Sequence, residues 1–145
     1  MNDVVVNKVQ SIQRCVLRAR EEHHAAGGHF LDDHTRQDAA ILNITRACEQ
    51  AIDLANHLIR SEKLGIPTDS AESFGLLVKA GILPLGLGDK LKRMLGFRNT
   101  VIHEYQVVDV NIVEAVIKSG LDDLLAFAQF CLDRYRPEPL NLIHR

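Results

Sequence analysis

The sequence has no tryptophan, and aromatic residues of any kind make up only 5% of its 145 positions. Its core must therefore be built mainly from aliphatic side chains. Cysteine is nearly as scarce. Cys15, Cys48 and Cys131 are widely spaced and odd in number, which argues against a disulfide framework and fits a reducing cytoplasm. Each falls within a helical apolar pattern, where a free thiol behaves as a small hydrophobe. Excess charge of one sign is also lacking: 17 Lys+Arg stand against 19 Asp+Glu, a net charge of −2. The protein is not coated in positive charge, so any nucleic-acid surface must be local. No run of about 18 apolar residues occurs, which excludes a membrane-spanning helix. The N-terminal MNDVVVNKVQ has neither the basic start nor the continuous apolar stretch of a signal peptide. Strand signals are absent apart from 4-VVV-6, which fits a helix better.

What is present is helical periodicity. Hydrophobic residues make up 46% of the chain, enough for one core in a chain of single-domain size. Val5, Val9, Ile12, Val16 and Ala19 recur every three or four residues, predicting a first helix that ends before Gly27-Gly28. The segment 23-HHAAGGHFLDDH-34 reads as a loop. Thr35 followed by Asp38 resembles a capping box, and Ile41, Ile44, Cys48, Ala51, Ala55 and Leu58 form the stripe of a long second helix. Gly65, through a left-handed conformation, and Pro67, through its missing N–H, stop that helix. Asp69 or Ser70 caps a short helix ending near Gly81. The stretch 81-GILPLGLGD-89 reads as a connector, with Asp89 capping the next helix. Asp109 caps a last long helix bearing Val113, Ile117, Leu124, Phe127 and Cys131, which Pro137 and Pro139 end. The expectation is an all-α, up-and-down bundle of about five helices, one domain over 1–136 and a tail over 137–145.

One helix breaks the pattern. On 87–105, at about 100° per residue, Leu87, Leu91, Met94, Leu95, Val101 and Ile102 share a broad face, and Arg98 falls inside it. Tyr105, seven residues on, returns to nearly the same direction. Asn99 and His103, four apart, are neighbours on an adjacent face. Arg98 and His103, five apart, point about 140° from each other. They serve one atom only if the helix frays or a second chain supplies the other half. A two-fold dimer would do the latter, because the same patch meets itself, and Gly96 would allow close approach. The plain alternative is an arginine that snorkels or pairs with a carboxylate, in a generic helical dimer.

The string 98-RNTVIH-103 resembles the R-N-x-x-x-H signature of the HEPN superfamily. Its extension through Arg98, His103 and Tyr105, R-x4-H-x-Y, resembles the HepT branch, the toxins of HEPN–MNT (type VII) toxin–antitoxin pairs. A second stretch, 36-RQDAAILNITRACEQAIDLANHLI-59, is similar to the second helix of that branch, and the similarity runs over about residues 1–136. The resemblance implies a dimeric, metal-independent endoribonuclease, without cofactor, that cleaves tRNA or mRNA to a 2′,3′-cyclic phosphate and a 5′-hydroxyl. Carried over residue by residue, His103 would be the general acid/base and Arg98 would stabilise phosphoryl charge. Histidine exchanges protons near neutral pH, and arginine offers phosphate a fixed, charged fork. Asn99 would orient the imidazole or the phosphate. Tyr105 would be the tyrosine to which an MNT-type nucleotidyltransferase antitoxin attaches AMP, blocking RNA with added charge and bulk. The competing function with the same fold is a catalytically silent HEPN module that docks a nucleotidyltransferase or a nucleotide.

Other clusters are weighed beside this. Lys90, Lys92 and Arg93 form a basic patch next to Arg98 that could hold RNA backbone, or a solvated helix face. Asn43, Arg46, Gln50, Asp53 and His57 form a polar stripe on the second helix, in which Asp53 is the candidate for a supporting role and could pair with His57. His23, His24, His29 and His34 match no zinc spacing, so no metal site is expected. No second E-x-x-H accompanies Glu21 and His24, which rules out a di-iron bundle.

Overall fold

The computed structural model describes residues 3–135, so the 137–145 tail and the two prolines expected to end the last helix lie outside the described residues. All regular structure among the described residues is helical. Helix α1 spans Asp3–Ala25, α2 His34–Glu62, α3 Ser70–Lys79 and α4 Leu85–His103. Helix α5, Val110–Ala115, continues through a π turn, Val116–Gly120, into α6, Leu121–Tyr135. None of these helices is long and apolar enough to cross a membrane.

Helices α1 and α2 form an antiparallel hairpin, pinned at one end by Lys8–Asp53 (3.3 Å) and at the other by Arg36–Glu22 (2.8 Å). Along the hairpin the stripes expected from the sequence are buried: Val5, Val9, Ile12, Val16 and Ala19 on α1, and Ile44, Cys48, Ala51, Ala55 and Leu58 on α2. Helix α6 lies along both, with Arg20–Asp122 (2.7 Å) at its start and Arg134–Glu62 (2.5 Å) near its end. Phe74 of α3 meets Phe127 of α6 edge to face at 5.3 Å, one of the few aromatic contacts in a core that is otherwise aliphatic. The three cysteines are free and buried. Burial pushes the thiols of Cys48 and Cys131 up to about 12, which keeps them unreactive.

The helix ends differ from the sequence expectation in four places. The cap of α2 is Asp33, whose carboxylate accepts the Arg36 N–H at 3.0 Å; Thr35 lies inside the helix, because Asp33 offers the better acceptor two residues earlier. Helix α2 ends at a left-handed Lys63 (φ 55°), before Gly65 is reached. Helix α4 starts directly after Pro84, so 81–89 is a connector only in its first half and Asp89 lies within the helix. Finally, α4 stops at His103: Glu104 has φ −144° and Tyr105 opens a separate 3₁₀ turn, Tyr105–Val107. Asp69 and Asp109 cap α3 and α5 as expected, accepting the N–H groups of Glu72 and Asn111 at 2.8 Å each.

Two glycines seat α4 between its neighbours. A Cβ on Gly88 would lie 2.4 Å from Val78 Cγ2 of α3, and one on Gly120 would lie 2.9 Å from Met94 Sδ of α4. Alanine normally gains about 1 kcal/mol over glycine inside a helix, but overpacking costs about 1–3 kcal/mol. Gly88→Ala is therefore expected to lower the urea midpoint and Gly86→Ala, whose Cβ meets open space, to hold or raise it. Val78→Ala added to Gly88→Ala should recover part of the loss. Equal midpoints for the two alanine variants would show that the α3–α4 contact is not tight.

Candidate functional site

The α4 face that packs inward contains Leu91, Met94 and Leu95, all buried, and Arg98 follows them one turn later. Its side chain is only 15% exposed, and its guanidinium lies 3.5 Å from the Glu49 carboxylate of α2. The buried Nε finds no acceptor among the described residues. The charge is thus set into the packing face, with one partially solvated carboxylate to offset its desolvation and unused donor capacity left over. Such a guanidinium is held in place before any anion arrives, which suits recognition of a phosphate.

His103 is the last residue of α4 and is exposed, as is Asn99 one turn before it. Among the described residues neither side chain has a partner within the fold. Since α4 is regular as far as His103, fraying does not bring the imidazole round to the arginine. Within one chain, Arg98 points into the α2 contact and Asn99 and His103 point to solvent. Gly96 joins the outer row, and a Cβ there would meet nothing within 4 Å. The close approach expected at this glycine is made to none of the other described residues.

Tyr105 does not continue the α4 spiral. Its position after the break directs the side chain to α2, where the hydroxyl donates a hydrogen bond to Asp38 Oδ1. Partial burial first, and the Asp38 carboxylate second, push this phenol up to about 12. The residue remains 46% exposed.

The basic patch is split. Lys90 and Arg93 line an open groove of about 760 Å³ between α4 and the α5–π–α6 segment, with Phe97 and Met94 in its wall. Lys92 instead lies over Gly75 of α3, its Nζ 3.5 Å from the position of a Cβ there. Asp53 is paired with Lys8 of α1, so the acidic residue that α2 brings to Arg98 is Glu49. Asn43, expected on the polar stripe, is buried and donates to its own helix at Ala39 O, 2.9 Å. His23 is structural: it bonds Glu114 at 2.8 Å and packs on Phe30. No group of three or more His, Cys, Asp or Glu among the described residues could hold a metal ion.

Residues 11–130 match the family described as Ribonuclease HepT-like. The chain belongs to this family. The mRNA nuclease HepT of Shewanella oneidensis is 42% identical to this HepT-like chain over 130 residues, 90% of this chain and 95% of its own length. A solved structure of the tri-AMPylated HEPN toxin of the same organism, in complex with its MNT antitoxin, superposes with a TM-score of 0.84 at 40% identity. It covers 90% of this chain and 97% of that one. A toxin–antitoxin structure with AMP-PNP gives the same TM-score at 39% identity, covering 90% of this chain and 99% of the other. The R-N-x-x-x-H string lies inside the matched region, as do Glu49 and Asp38. Sequence reasoning missed the last two because neither has a local signal: each is defined by what α4 and its following turn bring to α2.

Glu49 is expected to anchor Arg98. An exposed pair contributes up to about 1 kcal/mol and a buried one several times more when one partner is removed. A double-mutant cycle with Glu49→Gln and Arg98→Met, read by chemical unfolding, should give a coupling of about 0.5–2 kcal/mol. Coupling within error of zero would make the contact incidental.

Proposed function

We propose that this chain is the ribonuclease toxin of a toxin–antitoxin pair, acting on RNA, with mRNA as the substrate class carried by its named relative. The observation that carries the reading is the separation within one regular helix of an inward, largely buried Arg98 and an outward, unpaired His103. Each is suited to RNA cleavage, and they face apart. In a two-fold dimer packed through the outer α4 row of Gly96, Asn99 and His103, the two motifs line one cleft, and Arg98 of one protomer works with His103 of its partner.

The chemistry follows from the groups. His103 removes the proton from a 2′-hydroxyl, whose oxygen attacks the adjacent phosphorus. The 5′-oxygen leaves and takes the proton back from the His103 imidazolium, giving a 2′,3′-cyclic phosphate and a 5′-hydroxyl. Arg98 holds the non-bridging oxygens as charge builds on them. Asn99 orients the imidazole or the phosphate, and Lys90 and Arg93 hold flanking backbone; Lys92 contributes from the α3 side. An MNT nucleotidyltransferase antitoxin attaches AMP to Tyr105 and inactivates the toxin. These residues supply the whole reaction, so cleavage should persist in EDTA.

The test is cleavage of mRNA by the purified chain, alongside growth arrest on expression. His103→Ala and Arg98→Ala should each lower the rate at least 100-fold, within the roughly 10²–10⁴-fold range of general acid–base and charge-stabilising groups. Mixing the two variants under conditions of subunit exchange should restore about one quarter of the wild-type sites, since half of randomly paired two-fold dimers are mixed and each carries one intact site. No recovery on mixing would place both residues of each site in one protomer. Intact RNA with the wild type would end the nuclease reading.

A further inference from the structure

Tyr105 and Asp38 are 67 positions apart, yet the phenol O–H donates directly to the carboxylate. Both residues are exposed, and on a wet surface water would satisfy either group almost as well, so such a bond adds little to stability. The contact exists because α4 runs antiparallel along α2 and the break at Glu104 turns the next side chain across it. It gives the hydroxyl one fixed direction and one basic neighbour, while leaving its ring reachable from solvent.

A neutral phenol is a poor nucleophile. To attack phosphorus it must lose its proton as the new bond forms, and a group already accepting that proton is placed to take it. We propose that Asp38 is the proton acceptor for nucleotidylation of Tyr105, so that the toxin itself supplies a catalytic group for its own inactivation. This rests on the reading of Tyr105 as the modified residue. In the step, Tyr105 Oη bonds to the α-phosphorus of ATP and the bond from that phosphorus to the bridging oxygen of the β-phosphate breaks. Pyrophosphate leaves with the electron pair, and the phenolic proton passes to the Asp38 carboxylate. The remaining triphosphate charge and metal ions belong to the transferase, and Asp38 acts only on the acceptor side.

The experiment follows AMP incorporation by intact mass, using the full chain, its cognate MNT antitoxin and ATP with Mg²⁺, for wild type, Tyr105→Phe, Asp38→Asn and Asp38→Glu. Asparagine keeps the shape and can still accept the hydroxyl hydrogen bond, but it cannot take the proton. Asp38→Asn should lower kcat for AMP transfer about 10²- to 10³-fold with the KM for toxin nearly unchanged. Asp38→Glu should recover part of the rate. RNA cleavage by unmodified Asp38→Asn should match wild type within about twofold, since Asp38 has no part in that site. No AMP on wild type, or AMP that persists in Tyr105→Phe, would overturn the reading of Tyr105 and this inference with it. With Tyr105 confirmed, three results would overturn the inference alone: an unchanged Asp38→Asn rate, a faster one (the carboxylate then being a latch), or a change confined to KM.

Discussion

The contact between α2 and α4 organises everything that matters chemically in this chain. Helix α4 runs antiparallel to α2, so Arg98 reaches Glu49 and, past the helix end, Tyr105 reaches Asp38. The two acidic positions are eleven residues apart on α2, three turns and about 16 Å, and nearly in line on one face. That line is supported by close packing elsewhere, with Gly88 against Val78 and Gly120 against Met94 in a densely packed interior. A shift of one residue would turn Arg98 by about 100° and take the guanidinium out of the contact. The placement of the charge is therefore a consequence of the apolar packing, not of the ion pair.

The arginine itself is held in a compromise. Its side chain is mostly withdrawn from water, while its one carboxylate partner is 45% exposed and 3.5 Å away. A fully buried, well-paired guanidinium would be stable and inert; a solvated one would be mobile and weakly directed. Here the partner offsets part of the desolvation and leaves donor capacity free. A phosphate arriving at the cleft would complete a set that Glu49 only begins, and would do so in a site where charge interactions are stronger than in bulk water.

How much of this could be read from the sequence follows from the range of each interaction. The helices were legible because burial on one face imposes a local period of three to four residues, as in Val5, Val9, Ile12 and Val16. The R-N-x-x-x-H string and its tyrosine were legible as a resemblance, and the family match agrees with it. Helix starts were less so: Asp33 and Thr35 are both good caps, and only the backbone shows which accepts the N–H. The start of α4 was hidden because 85-LGLG-88 looks like a loop, although Gly88 is there to admit Val78. The π turn at Val116–Gly120 shifts the phase of the last helix by one residue, which a period-based reading absorbs without notice. Glu49 and Asp38 were invisible because their roles depend on partners 49 and 67 positions away. Asp53 lies on the same helix as Glu49, and only the fold shows that its partner is Lys8.

With His103 and Tyr105 in their proposed roles, the break at Glu104 links cleavage to its control. Were α4 to continue, Tyr105 would return to the buried side of the helix beside Arg98, where a bulky transferase could not reach it. Ending the helix at His103 leaves the imidazole at an open rim and sends the next aromatic residue across α2 to a carboxylate. Two residues of chain span at most about 7 Å between Cα atoms, so a nucleotide joined to Tyr105 would be tethered near the His103 end of α4. Its phosphate would bring negative charge to a rim where RNA phosphate has to bind, and its bulk would occupy the approach to the imidazole. If His103 and Tyr105 act as proposed, one backbone irregularity thereby keeps the tyrosine hydroxyl accessible to a partner enzyme and close in sequence to the histidine whose site its modification would block.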